Sequence, residues 1–224
     1  TAQGCAFFGA GLLLDARGND LFSSTLLSQA FGGPRGYGVL LDREGDDYFV
    51  ADLVEPSSYG TKNVFQGWSQ GVGSGLRGAS SGGIGLLVDA AGNDEYQAGN
   101  FSQGTGYFFG LGMLVDRGGD DLFRGSRYVQ GTAAHQAVGV LIDESGNDVY
   151  SAEPAAAQGA GWDAAVGILE DRGGDDQYTA GDLAQGAAAM NGFGVLFDWS
   201  GNDTYQVRSG QGHGGSTTYW GGRK

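Results

Sequence analysis

The sequence predicts an all-β protein, a β-solenoid built like a parallel β-helix from about seven coils, each formed by one repeat unit. A pattern of Asp-x-x-Gly-(Asn/Asp)-Asp-x-(Phe/Tyr) recurs through the chain, and short apolar runs precede each copy. Glycine is also frequent, with 46 of 224 residues, as tight corners require. The successive copies are 27, 47, 27, 27, 28 and 27 positions apart. They open at Asp15, Asp42, Asp89, Asp116, Asp143, Asp171 and Asp198.

The apolar runs are predicted to be strands, because they contain three to five residues and are bounded by glycine and a polar turn. The residue two places before each opening Asp is always Leu, so this column is expected to face the interior. The residue directly before the Asp is apolar in every copy except Glu170 and is expected to face outward. Such an outward apolar row needs cover from a second layer, a partner chain or another part of a longer polypeptide.

A unit of this length is too short for a four-stranded propeller blade and suits one coil of a solenoid. Equivalent positions then recur at about 4.8 Å, so Leu columns form the core and aromatic columns stack. A glutamine column is expected to form a ladder of amide hydrogen bonds. Its members lie at one fixed spacing before an opening Asp, at Gln29, Gln103, Gln130, Gln158 and Gln185, and Gln3 and Gln70 are their displaced equivalents.

We interpret residues 1–224 as a single repeat domain, with an insertion at about 54–81 that accounts for the one long interval. The insertion contains Tyr59, Lys62, Phe65 and Trp68. It is either a tolerated surface loop or a binding loop, since insertions in solenoids cluster on one face. Neither end resembles the polar cap that a solenoid needs, and the aromatic stretch 219–222 lies near the end of the sequence. We therefore expect a piece of a longer protein or end-to-end assembly.

The acidic turns alternate in composition along the chain. Odd units have Asn before the second Asp, and even units have Asp46, Asp120 or Asp175 at that position. Stacked carboxylates at about 4.8 Å repel by roughly 3.5 kcal/mol per pair at an effective dielectric of 20. The alternation, with an Arg after the opening Asp of the even units, relieves this repulsion if one unit forms one coil. Alternatively, two successive units together form one coil, in which odd units stack on odd units.

The turn resembles the calcium-binding nonapeptide of RTX proteins, as in Arg17-Gly18-Asn19-Asp20-Leu21-Phe22. The resemblance covers about eight residues per unit, although an RTX coil is shorter and has two facing loops. It implies that the second Asp of each turn binds Ca²⁺ together with turn carbonyls. These residues are Asp20, Asp47, Asp94, Asp121, Asp148, Asp176 and Asp203, and the extra carboxylates Asp46, Asp120 and Asp175 join them as candidate ligands. The alternative is a metal-free turn in which the opening Asp accepts backbone N–H groups.

Composition excludes several functions. A net charge of −14 opposes binding to nucleic acid or to an anionic membrane. Cys5 is the only cysteine, which excludes an internal disulfide and a cysteine zinc site. Gly67-Trp68-Ser69-Gln70-Gly71 matches a nucleophile elbow, but no helical pattern follows it, so Ser69 is not expected to be catalytic. We predict no catalytic residue and no cofactor other than Ca²⁺.

The predicted function is a structural or adhesive module, extracellular or on a bacterial cell surface, stabilised by Ca²⁺. Self-association through the outward apolar column or the uncapped ends is expected, and it would allow filaments to form. The alternative is a solenoid that binds carbohydrate, or cleaves polysaccharide as a hydrolase or lyase. That activity would use the insertion or the aromatics Tyr107, Phe108, Phe109 and Trp162, which break the repeat register.

Overall fold

A computed structural model describes residues 2–51, 54–208 and 216–217 of the chain. These residues form twenty strands and no helix, and the strands lie in three parallel sheets that wind as a β-solenoid of about seven coils. The predicted fold class is confirmed. The described part of the chain therefore contains no helix with the length and hydropathy needed to cross a bilayer.

From the third coil onward, each coil contributes one strand to each sheet in turn, and the first two coils join sheet 3 through isolated bridges at Ala6 and Gly32. Sheet 1 contains the apolar runs, as β1 (Ala10–Leu14), β3 (Tyr37–Leu41), β6 (Ile84–Val88), β9 (Leu111–Asp116), β12 (Val138–Asp143), β15 (Val166–Asp171) and β18 (Phe193–Asp198). Sheet 2 follows the acidic turn and contains β2 (Leu21–Ser24), β4 (Tyr48–Ala51), β7 (Glu95–Gln97), β10 (Leu122–Gly125), β13 (Val149–Ala155), β16 (Gln177–Asp182) and β19 (Thr204–Val207). Sheet 3 is formed by β5 (Gly73–Ser74), β8 (Gly106–Tyr107), β11 (Ala133–Ala134), β14 (Gly161–Trp162), β17 (Ala188–Ala189) and β20 (Ser216–Thr217).

One repeat unit forms one coil. In sheets 1 and 2, each strand pairs in parallel with the strands of the preceding and following units, at equivalent positions. Odd units therefore stack on even units, which excludes the two-unit coil. The turn glycines permit this stacking: a Cβ on Gly119 would lie 1.4 Å from the carbonyl oxygen of Gly92 in the coil before it. Only glycine fits such an approach.

The main core lies between sheets 1 and 2 and is made of two columns. The Leu column faces inward as predicted, and Leu40, Leu87, Leu114, Leu141 and Leu169 have no exposed surface. The aromatic column opposes it as a continuous stack from Phe22 to Tyr205, with ring centroids 4.6–4.9 Å apart and ring planes within 4°. The predicted stacking is confirmed, because parallel strands in equivalent register place each ring over the next.

The glutamine column bonds to the backbone and does not form the predicted ladder of amides. In six of the seven glutamines, Nε2 donates to the carbonyl oxygen of the column aromatic that precedes it in the sequence and to a sheet 2 carbonyl one coil further on. Gln3 Nε2 donates to Ser23 O at 3.4 Å. Gln130 Nε2, for example, donates to Phe123 O and Ser151 O, both at 3.1 Å. Gln70 makes the same pair of bonds, which confirms its place in the column despite its displaced position. The glutamine amides thus connect the corner on which they lie to sheet 2 by hydrogen bonds.

The long interval contains two separate excursions instead of one insertion. The first returns through the antiparallel bridge between Pro56 and Phe65, and the second is a tight turn closed by Leu76 and Ser80. Gly73 and Ser74 between them occupy their place in sheet 3. The extra residues are divided in this way because Gln70 keeps its place in the glutamine column. Gln70 lies 19 residues before Asp89, whereas Gln103 lies 13 residues before Asp116, so part of the extra chain must loop out after Gln70. The aromatic stretch 219–222, on which the prediction of an uncapped end relied, lies outside the described residues.

Candidate metal centre

Two columns of aspartates face each other inside the acidic turns. The first-Asp column consists of the opening residues Asp15, Asp42, Asp89, Asp116, Asp143, Asp171 and Asp198. The second-Asp column consists of Asp20, Asp47, Asp94, Asp121, Asp148, Asp176 and Asp203. In the five inner coils, both residues have at most 3 % of their surface exposed. Charged groups are rarely buried to this degree without a partner.

The first-Asp column closes the turn through Asx-type hydrogen bonds. The Oδ1 atom of Asp116 accepts the N–H of Gly118 at 3.0 Å, and that of Asp143 accepts the N–H of Ser145 at 3.2 Å. Equivalent bonds form at Asp15, Asp42, Asp89 and Asp171. This is the local role that the metal-free interpretation assigned to the opening Asp, and it uses only one of its two carboxylate oxygens.

The second-Asp column links neighbouring coils. The Oδ1 atom of Asp121 accepts the backbone N–H of Asp94 in the preceding coil at 2.6 Å, and Asp148 accepts the N–H of Asp121 at 2.7 Å. The same bond joins every successive pair from Asp20 to Asp203, at 2.6–3.0 Å. A carboxylate that accepts a backbone N–H makes a strong, charge-assisted bond, so this ladder aligns the turns.

The remaining oxygens of the buried aspartates converge and lack partners. In the second-Asp column, Oδ2 has no hydrogen-bond partner in Asp47, Asp94, Asp121, Asp148 or Asp176. In the first-Asp column, Oδ2 of Asp42 and Asp89 also has none. Leaving a buried acceptor unpaired costs about 1–3 kcal/mol, and more when it is charged. These oxygens therefore need a proton or a cation.

Five groups of three aspartates are close enough to share one cation. Within each group, one carboxylate oxygen from every residue lies within 4.8 Å of the others. The groups are Asp42, Asp47 and Asp89; Asp94, Asp116 and Asp121; Asp121, Asp143 and Asp148; Asp148, Asp171 and Asp176; and Asp176, Asp198 and Asp203. Three carboxylates form a hard, oxygen-only donor set, which suits Ca²⁺ rather than a thiophilic metal.

Tyrosines of the aromatic stack reach the same site from the core side. The Tyr150 hydroxyl, which has one proton to donate, lies within hydrogen-bond distance of Oδ2 of Asp143 at 3.1 Å and of Asp171 at 2.8 Å. Tyr96 donates to Asp116 at 2.6 Å. The aromatic column contains both Phe and Tyr, so only some of its residues have a hydroxyl group to donate to an Asp. Oδ2 of Asp116, Asp143 and Asp171, which a Tyr hydroxyl reaches, is therefore partly satisfied without a cation, whereas Oδ2 of Asp42 and of Asp89 has no partner.

The electrostatics of the columns favour a neutral or cation-bound state. Desolvation, followed by repulsion from Asp116, raises the pKa of Asp121 to about 10. Burial and the neighbouring carboxylates likewise raise the pKa of Asp148 to about 8, that of Asp94 to about 7 and that of Asp47 to about 6. In the first-Asp column, desolvation and the charges of Asp94 and Asp116 raise the pKa of Asp89 to about 9. All these shifts arise because like charges are packed in a site with little water.

The candidate ligands from the sequence separate into two sets. The second-Asp residues from Asp47 to Asp203 lie in the five groups, whereas Asp20 lies in the outermost described turn and belongs to none. Asp46, Asp120 and Asp175 lie on the exposed rim, where their carboxylates accept bonds from asparagines of adjacent coils. The alternating Asn and Asp residues at this position thus form a hydrogen-bonded ladder along the exposed rim. Arg172, expected to relieve the aspartates, instead binds Glu144 at 2.9 Å and Glu170 at 3.1 Å.

Sequence reasoning did not assign the first-Asp column to the site. A signal was present: side chains alternate along a strand, and each opening Asp lies two residues after the inward Leu. Each second Asp likewise lies two residues before the inward aromatic residue. Both carboxylates therefore share the face of the core side chains, which is why they meet in the interior of the turn.

The other candidate positions have structural roles. Ser69, in the elbow-like motif, is fully buried and donates its hydroxyl to Gly67 O at 3.0 Å. Trp162 is 6 % exposed and packs in a cluster with Leu183 and Ala134. Comparisons of the chain with protein-family models, with curated proteins and with solved structures find no match.

Proposed function

We propose that the chain is a structural β-solenoid module in which the two Asp columns bind Ca²⁺ and make the rod stable. The observation that carries this proposal is the row of unpartnered Oδ2 atoms on aspartates that are nearly or fully buried. A divalent cation satisfies several of these oxygens at once and cancels the repulsion between coils. The alternative occupant is a shared proton, which satisfies only two oxygens.

Calcium suits this donor set better than other common cations. Ca²⁺ accepts six to eight oxygen ligands in flexible arrangements, whereas Mg²⁺ requires a near-ideal octahedron and keeps its waters. The resemblance of the turn to the RTX nonapeptide, in the run Gly-Asn-Asp-x-aromatic, supports the same ion. When bound, the cation would supply charge neutralisation only; no reaction is assigned to it. Asp residues of both columns would hold it, with Asp121, Asp148 and Asp176 shared between successive groups.

We place the module outside the cell, on a bacterial surface or in a secreted protein, with a structural or adhesive role. Calcium sites of extracellular modules typically bind with Kd values of about 10⁻⁴–10⁻³ M, which matches calcium-rich surroundings. Because a ligand that binds only the folded state stabilises it by mass action, export would promote folding. The repeated coils support a structural role, since the two Asp columns recur in every described turn.

The test is thermal unfolding in Ca²⁺ and after exhaustive chelation with EGTA, together with a count of bound Ca²⁺ by mass spectrometry of the native chain. We expect chelation to lower the midpoint by about 10 °C or more, since binding at several sites adds several kcal/mol. An unchanged midpoint and no bound Ca²⁺ would remove the ion from the proposal.

Two adjacent residues provide a matched pair for this test. Asp121 is buried in the site, whereas Asp120 lies on the exposed rim beside asparagines. Asp121→Asn keeps the oxygen that accepts the Asp94 N–H but removes a ligand charge. We expect Asp121→Asn to reduce the gain in midpoint on Ca²⁺ addition by at least half, while Asp120→Asn leaves it unchanged. Equal effects of the two substitutions would show that Ca²⁺ acts through surface charge and not through the proposed site.

Carbohydrate binding is the second candidate, and one cleft favours it. An open cleft of about 270 Å³ lies beside the second excursion and is lined by Phe7, Trp68, Leu76, Arg77 and Tyr107, among others. Aromatic rings with one Arg form a surface on which a sugar ring packs, as the alternative function requires. Arg77→Ala is expected to abolish binding on an oligosaccharide array if this function holds. Absence of any signal from the parent chain would discard the second candidate.

A further inference from the structure

The outer face of sheet 1 is almost entirely apolar. Strand alternation leaves three outward columns of seven residues, aligned by the parallel register. Of these positions only Glu170 is charged. The columns are Ala10, Tyr37, Ile84, Leu111, Val138, Val166 and Phe193; Leu12, Val39, Leu86, Met113, Val140, Ile168 and Val195; and Leu14, Leu41, Val88, Val115, Ile142, Glu170 and Phe197. We refer to them together as the apolar face.

The described residues leave this face open to solvent. Leu12, Leu14, Tyr37 and Phe193 are each more than half exposed, and Val140 is the one outward residue that is buried, between Met113 and Ile168. A contiguous apolar surface of this extent marks an interaction site on a soluble protein. Parallel sheets with two apolar faces are normally covered on both.

Sheet 2 of the same coils provides an internal comparison. Its two outward columns contain fourteen residues, nine of them polar or charged, including Glu95, Gln97 and Arg124. The repeat therefore does not fill every outward position with apolar residues. The apolar character is specific to the outer side of sheet 1, which indicates that this side is buried in the functional assembly.

We propose that the apolar face binds the same face of a second copy of this chain, forming a two-fold dimer of solenoids. Seven strands of about 17 Å at a spacing of about 4.8 Å give roughly 600 Å² for each copy. Two such faces bury about 1,200 Å², which reaches the range of stable interfaces. A flat, periodic face is complementary to itself, and two sheets pack face to face at about 10 Å.

The charged groups at the face are compatible with this occupant. The Glu170 carboxylate is already bound by Arg172 at 3.1 Å and by the Trp199 indole at 3.3 Å, so it does not enter the interface unpaired. The edge of the face carries both signs, as in the pair of Arg17 and Glu44 at 3.8 Å. A polar rim of mixed charge around an apolar centre is typical of protein interfaces.

The geometry identifies the residue at the centre of the dimer. Strand β9 is the fourth of seven in sheet 1, and Met113 belongs to the middle column. A two-fold axis in a centred interface passes close to this position whichever way it runs along the sheet. Met113 is therefore expected to face Met113 of the other copy.

The first test is sedimentation of the full chain over a range of concentrations, with Ca²⁺ and with EGTA. We expect a dimer, and we expect Met113→Glu to weaken it by about 100-fold or more, since two carboxylates then meet in an apolar interface. Val149→Glu, on the outer face of sheet 2, is the matched control and is expected to leave the dimer intact. Circular dichroism shows whether each variant is folded. A folded parent chain that sediments as a monomer at every concentration would overturn the proposal.

The second test locates the interface. In a Cys5→Ala background, Met113→Cys should react slowly with a maleimide in the dimer and quickly after dilution to monomer. Val149→Cys should react equally at both concentrations. A dimer in which position 113 stays reactive places the contact elsewhere and contradicts the proposal. A monomer that co-sediments with phosphatidylcholine vesicles would assign the face to lipid instead.

Discussion

At the scale of single residues, the backbone geometry at the corner of each coil explains why glutamine recurs there. Gln130 and its equivalents adopt positive φ values of 48–64°, a region that L-residues other than Asn and Asp seldom occupy. The strain of this conformation costs about 1–2 kcal/mol. It is offset because the buried amide then donates to backbone carbonyls of two successive coils. Glutamine has the reach and the two N–H donors for this task.

The bonds of Gln130 give a stability prediction. Gln130→Leu keeps the volume but removes both donors, so we expect a loss of about 2–3 kcal/mol in the free energy of unfolding. Urea unfolding followed by circular dichroism measures it. Gln177→Leu, at an exposed position of sheet 2, is the control and is expected to change stability by less than about 0.5 kcal/mol. Equal losses for the two variants would contradict this connecting role.

The sequence predicted the position of a residue correctly where the alternation of side chains along a strand alone determines which way the residue faces. The Leu column and the aromatic column were placed correctly because side chains alternate along a strand. The glutamines were assigned to the right column, but their partners were not, since an amide inside a coil can bond to another amide or to a carbonyl. That choice depends on the φ angle at the corner, which the spacing of residues does not specify.

At the scale of elements, the aromatic stack connects the core to the acidic turns. Each ring packs on the rings of both neighbouring coils, and several tyrosines reach the first-Asp column with their hydroxyls. The turn and the stack are therefore one unit: a shift of the sheet 2 register would move the rings and the carboxylates together. This coupling explains why the aromatic position and the two aspartates keep a fixed spacing in every repeat.

Removal of one ring from the stack tests this coupling. Phe123 has no exposed surface and lies between Tyr96 and Tyr150, with ring centroids 4.8 and 4.9 Å away. We expect Phe123→Ala to lower the free energy of unfolding by about 3–5 kcal/mol through the cavity it leaves. Phe109→Ala, at a half-exposed ring, should cost far less. Denaturant unfolding gives both values; a similar small loss for both would contradict a continuous stack.

The extent of the insertion was less predictable than the repeat itself. Its total length followed from the interval between Asp42 and Asp89, but its division into two excursions depends on which residues keep their column. Gln70, Gly73 and Ser74 do so because they bond to neighbouring coils, and the chain on either side loops out. A shift in the spacing of Gln70 from Asp89 was the available sign.

At the scale of the whole molecule, the solenoid concentrates negative charge in one line and apolar surface on one face. The Asp columns run along the full set of described coils, and the apolar face covers the adjacent sheet. Both features repeat with the coil, so each added coil adds one more pair of buried carboxylates. Each group of buried carboxylates needs a cation or a proton, so the number of cations or protons needed increases with the number of coils.

This requirement predicts how stability depends on pH when Ca²⁺ is removed. Burial raises the pKa of Asp47 to about 6, of Asp176 to about 7, of Asp148 to about 8 and of Asp121 to about 10, above about 3.9 in the unfolded chain. Between about pH 4 and pH 10 the folded state therefore binds more protons than the unfolded state. The contribution of these carboxyls to the free energy of unfolding is fully present below about pH 4 and is lost as the pH rises through their folded-state pKa values.

The measurement is the thermal midpoint in EGTA from pH 5 to pH 9, repeated with Ca²⁺. In EGTA we expect the midpoint to fall by about 10 °C or more across this range, because several buried carboxyls lose their protons. With Ca²⁺ the midpoint should become nearly independent of pH, since the cation takes the place of the protons. Asp121→Asn should reduce the slope in EGTA, and Asp120→Asn should not. A midpoint in EGTA that rises with pH would show that the buried aspartates are stabilised as anions by other means.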